Sequence, residues 1–166
     1  MSTRLRNVNW RRQVALVVPY LCAVHLFTQY VGEVRISGGA SMLPTLANSG
    51  DWVLQESFSH RMNPPRIARG DVIVAISPYD PSRSICKRVM GLPGDTVCVD
   101  PTKPVPEHIV VPKGHVWLMG DNYTNSRDSR VYGPVPMGLI RGRIVAKVWP
   151  TFTRLKNPTT YIDAHT

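Results

Sequence analysis

Proline and glycine set the scale of every element that can form beyond residue 32. Fifteen prolines and twelve glycines are spread along the chain. Each proline fixes φ and removes a backbone donor, and glycine marks turns. The runs between these breaks suit short strands and turns better than long helices. Seven segments read as strands: 34–37, 51–56, 71–76, 83–89, 96–99, 116–119 and 143–149. The clearest hairpin signal joins 83–89 to 96–99 across Gly91-Leu92-Pro93-Gly94-Asp95. The segments 57–69, with Pro64-Pro65, and 101–106 read as exposed loops. The expectation is an all-β domain of packed or partly closed sheets.

The stretch before it has a different character. Between residues 13 and 32 there is no Asp, Glu, Lys or Arg. About 20 apolar residues suffice to span a bilayer. Gln13, Pro19, His25 and Gln29 weaken that signal, and a cleaved signal peptide would share the Arg-rich start. No clear small-x-small cleavage site follows, so a retained anchor is expected. The division is a basic tail at 1–12, a transmembrane anchor at 13–32, a catalytic domain at 33–150 and a tail at 151–166.

Charge supports a membrane partner. Arg4, Arg6, Arg11 and Arg12 precede the first acid, Glu33, in a chain of formal net charge +9. Such a cluster is expected to stay on the side that imported or synthesised the chain. The other positive charges form no basic run or aromatic ladder, which argues against nucleic acid. Cys22, Cys86 and Cys98 lack metal-ligand spacing and read as unpaired. Cys86 and Cys98 flank the expected hairpin.

One residue stands out chemically. Alternation along 83–89 puts Ile85, Lys87 and Val89 on one apolar face. A lysine buried there loses solvation of its ammonium form, so its pKa should fall and it becomes a candidate base. Ser41 lies upstream in a turn marked by Gly39 and Pro44. The pair suggests a serine nucleophile activated by lysine. Lys147, flanked by Val145 and Trp149 two residues either side, is the competing base. A Ser-His-Asp triad would need His108 or His115 with Asp121 or Asp128. The loop 120–130 is dense in Asn, Asp and Ser, and Asp128 and Arg130 would share a face if it were extended.

Three ordered motifs resemble those of type I signal peptidases. They are Ser41-Met42-Leu43-Pro44-Thr45, then Lys87-Arg88-Val89 with Gly91-Leu92-Pro93-Gly94-Asp95, then Gly120-Asp121-Asn122 through Asp128-Ser129-Arg130. The likeness covers most of residues 33–149. The chain's small size and the segments 85–89 and 136–140 are most similar to the mitochondrial inner membrane branch. The resemblance implies a signal-peptidase-like antiparallel β-sheet domain behind one transmembrane helix. It implies Ser41 as nucleophile, Lys87 as general base and Ser126 as a hydroxyl orienting the lysine. Asp128 and Arg130 would brace the site. Where some relatives carry a hydroxyl two positions before the nucleophile, this chain has Gly39, which puts the oxyanion on backbone donors.

The same resemblance implies the activity and the setting. It points to a serine endopeptidase working through an acyl-enzyme, with no metal or organic cofactor. Substrates would be precursor proteins with hydrophobic sorting signals, bound by strand addition and released into the mitochondrial intermembrane space. The enzyme would sit in the inner membrane as a single-pass protein. Its partners would be a second related catalytic subunit and a small accessory one. A bacterial-type signal peptidase or a self-cleaving repressor-like protease would share the dyad, though no helical DNA-binding domain is visible. An inactive membrane-tethered β module that binds acidic partners is the reading from another class.

Overall fold

The computed structural model describes residues 10–30, 32–62, 65–100, 104–105 and 107–155. The uncharged stretch forms helix α1, Trp10–Tyr30, which includes Pro19. Leu16, Leu21 and Phe27 on it are all more than half exposed. Even so, no helix among the described residues is long and apolar enough to cross a membrane. The expected span at 13–32 is therefore corrected to a helix that is not apolar enough to span by itself. The reason is compositional: Arg11, Arg12, Gln13, Tyr20 and His25 all fall within it.

Strand pairing begins at Gly32. The strands are β1 Gly32–Gly38, β2 Ser49–Glu56, β3 Val72–Ile76, β4 Ser84–Gly91, β5 Thr96–Cys98, β6 His108–Val110, β7 His115–Met119, β8 Val135–Pro136, β9 Ile140–Trp149 and β10 Thr153–Arg154. A short helix, α2, covers Ser129–Tyr132. The main sheet runs in the order β1-β2-β9-β3-β4-β7-β8, with β10 added to β9. Its pairings are antiparallel. The fold is thus mostly antiparallel β-sheet, as expected.

Both faces of the central strands are covered, which decides where the site lies. Ile73, Ala75, Val89, Val116, Leu118, Val135 and Ile140 form one buried cluster. Val72, Val74, Val53 and Ile144 form another with Met42 and Leu46, from the segment joining β1 to β2. Alternation along β3 explains the split, since its odd and even residues face opposite layers. Burying Met42 and Leu46 fixes the Ser41 turn against the sheet. Each is fully enclosed, a contribution of roughly 2 kcal/mol apiece.

Several expectations change. Strand β5 pairs with β6 in a separate two-stranded sheet, not with β4. The expected hairpin fails because β4 runs on to Gly91 and its edge is taken by β7. Gly91 permits a close crossing there, since a Cβ would meet side chains of Val97 and Val111. Cys86 and Cys98 are free, as expected. The 57–69 loop is partly buried at Ser57 and Ser59, where the Glu56 carboxylate accepts the N–H of Phe58 and of Ser59. Most of the expected 101–106 loop, residues 1–9 and the tail beyond 155 lie outside the described residues.

Candidate active site

Lys87 is 4 % exposed and pairs with Ile73 across the β3–β4 ladder. Ile85 and Val89 pack into the same apolar cluster, as alternation predicts. Burial lowers the Lys87 pKa from its ordinary value, and the nearby Cys86, Asp128 and Asp121 only partly oppose this. Its Nζ lies 2.7 Å from Ser41 Oγ, to which the ammonium form donates. With the proton removed, the same contact is aligned for the amine to take the serine proton.

The serine sits in a single 3₁₀ turn, Ala40–Met42. Gly39, just before it, has φ 108°, a region that strongly favours glycine. Backbone shape therefore accounts for the missing hydroxyl at that position. The Gly39 N–H donates to Asn48 O at 2.7 Å. From the other side, the Asn122 N–H donates to Ser41 O and Asn122 Nδ2 to Ala40 O, both at 3.0 Å. The turn is clamped between two segments remote in sequence.

A buried network that sequence reasoning missed reinforces the clamp. Arg88 donates from Nε and Nη2 to the two Asp121 oxygens at 2.7 and 2.6 Å, and from Nη1 to Gly70 O at 2.7 Å. Thr45, four residues past Ser41, donates to Asp121 Oδ2 at 2.5 Å. The available signal was phase. Arg88 is out of step with Lys87, so it faces the other apolar layer, where a buried guanidinium needs a carboxylate.

Asp128 is fully buried and caps α2 by accepting the Arg130 N–H. Arg130 Nε and Nη2 donate to its two oxygens at 2.9 and 3.0 Å. Burial would raise this carboxyl, but the bonds from Arg130 and from the Gly120 N–H hold it below the usual range. Ser126 Oγ is close enough to lower it further, yet meets no partner in good hydrogen-bond geometry. It makes no hydrogen bond to Lys87 either. Gly120 allows this packing, because a Cβ there would collide with Ser126 Oγ and Ser41 O.

The alternatives to the Ser/Lys pair are not assembled. Lys147 Nζ lies 3.5 Å from the buried Asp51 carboxylate. Asp121 and Asp128 are each taken by an arginine. His115 Nδ1 contacts Lys113 O, and His108 is exposed on β6. Cys86 borders the site, but burial pushes its thiol up to about 12, so it stays protonated.

Ser41 and Lys87 line a cavity of about 350 Å³ that also touches Ser37 and Gly38 of β1 and Ser84 to Cys86 of β4. In the main sheet β1 is an outer strand, and β7 pairs with β4 only from Arg88 onward. Two strand edges with unfilled pairing positions thus flank the serine.

The chain matches the family described as "Signal peptidase, peptidase S26" over residues 10–103 and 99–149. It is similar to the human mitochondrial inner membrane protease subunit 1, with 49 % identity over 84 % of this chain and 82 % of that protein. It is 42 % identical to subunit 1 of that protease from Saccharomyces cerevisiae, over 82 % of this chain and 78 % of the relative. Subunit 2 from the same yeast is 38 % identical over 80 % and 75 % respectively. A match of this extent and identity identifies the chain as a serine peptidase of the signal peptidase family, peptidase S26.

Proposed function

We propose that this chain is a catalytic subunit of a mitochondrial inner membrane protease that works with a Ser41/Lys87 dyad. The observation that carries the reading is the 2.7 Å contact between a buried lysine amine and the serine hydroxyl, inside a cavity flanked by strand edges. Ser41 Oγ attacks the scissile carbonyl as Lys87 accepts its proton. The amine component leaves with a proton from Lys87, giving an acyl-enzyme. Lys87 then takes a proton from water as its oxygen attacks the ester, and returns that proton to Ser41 Oγ as the ester bond breaks and the acid product leaves. The backbone N–H of Ser41 helps hold the oxyanion, consistent with Gly39 having no side chain to offer.

Substrate enters as an extended segment between the β1 and β4 edges, where main-chain bonds hold any sequence and the cavity reads side chains. Such segments belong to precursors delivered with hydrophobic sorting signals and released to the intermembrane space. The names of the relatives support an inner-membrane location. The exposed apolar residues of α1 support attachment there, with Ser41 facing the intermembrane space. Likeness to both yeast subunits supports pairing with a second related catalytic subunit, and an accessory subunit completes the proposed assembly. Asp128 and Arg130 brace the loop that carries Ser126 beside the base.

The test is to express Ser41→Ala in cells lacking this chain and map precursor N-termini. Uncut precursor alongside a folded, membrane-associated variant is expected. Normal processing would overturn the assignment.

A further inference from the structure

A second cavity, of about 410 Å³, lies where α1 meets the sheet. Thr28 of the last turn of α1 borders it, together with Arg35 of β1, Gln55 of β2, Arg61 and Arg141. The nearby carboxylate, Glu33, already accepts from Arg35 Nε at 2.5 Å. Arg61 also stacks over the Tyr30 ring, 5.3 Å from its centre. The cavity is therefore electropositive, with three guanidiniums against one carboxylate.

The floor carries an unmet polar demand. Gln55 is 1 % exposed, and its Nε2 donates to Arg141 O at 3.3 Å and to Ser57 Oγ at 3.4 Å. Its Oε1 is buried and has no partner. Leaving such an acceptor unsatisfied costs about 1–3 kcal/mol. Glycine at 142 lets Gln55 pack here, because a Cβ there would strike its side chain. The cavity thus asks for an anion toward its arginines and a hydrogen-bond donor toward Gln55.

We propose that this cavity binds a phosphoglycerol headgroup, with phosphate held by Arg61 and Arg141 and a glycerol hydroxyl donating to Gln55 Oε1. An ammonium headgroup would also donate, but three guanidiniums repel it. The lipid source rests on the reading that α1 lies in the membrane, since the cavity opens at the end of that helix. It is distinct from the catalytic cavity but shares Ser84 with it, so a bound headgroup would sit against the start of β4.

The experiment titrates the full chain, in neutral detergent, with four probes and reads the thermal midpoint. The probes are short-chain phosphatidylglycerol, phosphatidylmethanol, phosphatidylserine and free glycerol 3-phosphate. Phosphatidylglycerol should saturate and bind about tenfold tighter than phosphatidylmethanol, which has the same charge and no hydroxyl. Arg61→Gln and Arg141→Gln, whose unliganded midpoints are measured first, should each weaken it about tenfold. Equal binding of phosphatidylglycerol, phosphatidylmethanol and phosphatidylserine that survives both substitutions would overturn the site. Equally tight binding of glycerol 3-phosphate would overturn the lipid source. Flotation with neutral phosphatidylcholine vesicles checks α1 separately: failure to float would overturn the membrane reading and leave the detergent titration to judge the cavity.

Discussion

Lys87 and Arg88 are adjacent cations on one strand, both nearly excluded from solvent, yet they have opposite surroundings. Arg88 faces the layer beneath the nucleophile turn and is matched by Asp121, Thr45 and Gly70. Lys87 faces the opposite apolar layer, and among the described residues it has a serine hydroxyl and no carboxylate in salt-bridge reach. One buried charge is fully compensated and holds structure. The other is left short of compensation, which lowers its pKa and suits it to the base role proposed above. On that proposal the strand separates bracing from chemistry by a single step of the pleat.

The largest effect should come from exchanging the two roles. Lys87→Arg keeps a cation but cannot give up its proton at any accessible pH. Cleavage should fall about 10⁴-fold, as should that of Ser41→Ala, with far-ultraviolet circular dichroism unchanged. Measurable turnover by purified Lys87→Arg would break the contrast, because a charge alone would then suffice.

Removing the compensation from Arg88 should instead unfold the protein. Asp121→Ala strands a buried guanidinium and should cost about 3–5 kcal/mol in denaturant unfolding. Arg88→Met combined with Asp121→Leu should recover much of that, since an apolar pair needs no partner. Asp128→Ala belongs to the same class through Arg130. The Asp128 carboxyl is held low when folded, so its stabilisation is present above the ordinary carboxylate range and is lost as pH falls through the lowered folded value. A loss of activity in Asp128→Ala with no change in stability would reassign it to chemistry.

How much of this was legible follows from what one-dimensional pattern can encode. The burial of Lys87 was legible because strand alternation is local, and its two neighbours on that face are Ile85 and Val89. The Arg88–Asp121 network was not, because it depends on β4 meeting β7 and the loop after it, a pairing no local period specifies. The same gap produced the false β4–β5 hairpin: a Gly-Leu-Pro-Gly turn signals a reversal but not which strand takes the edge. Short pieces such as β8, β10 and α2 fell below any period. In the candidate site, the turn holding Ser41 was legible from Gly39 and Pro44, whereas the clamp by Asn122 bridges segments about eighty residues apart.

The pH profile sharpens the contrast further. Single-turnover acylation should rise tenfold per pH unit, about 1.4 kcal/mol, and level off below the ordinary lysine value of 10.5. Replacing His108 and His115 should leave the plateau in place. A plateau that moves with either histidine would transfer the base role to it.

The smallest effect, and the most direct comparison, is on stability. A lysine whose folded pKa is lowered binds fewer protons folded than unfolded between that value and 10.5. Stability therefore rises with pH across that window, and the full penalty of the buried charge applies below it. Lys87→Met removes the penalty and keeps the aliphatic volume. At pH 7 its thermal midpoint should match or exceed the wild type by about 2 °C, and the gain should shrink as pH approaches 10. Arg88→Met should do the reverse at every pH from 6 to 9, because it leaves the Asp121 carboxylate largely buried without its cation. Calorimetry of both variants in the same detergent gives the comparison. If Lys87→Met lowers the midpoint as much as Arg88→Met does, Lys87 is compensated after all, and burial is not what tunes it.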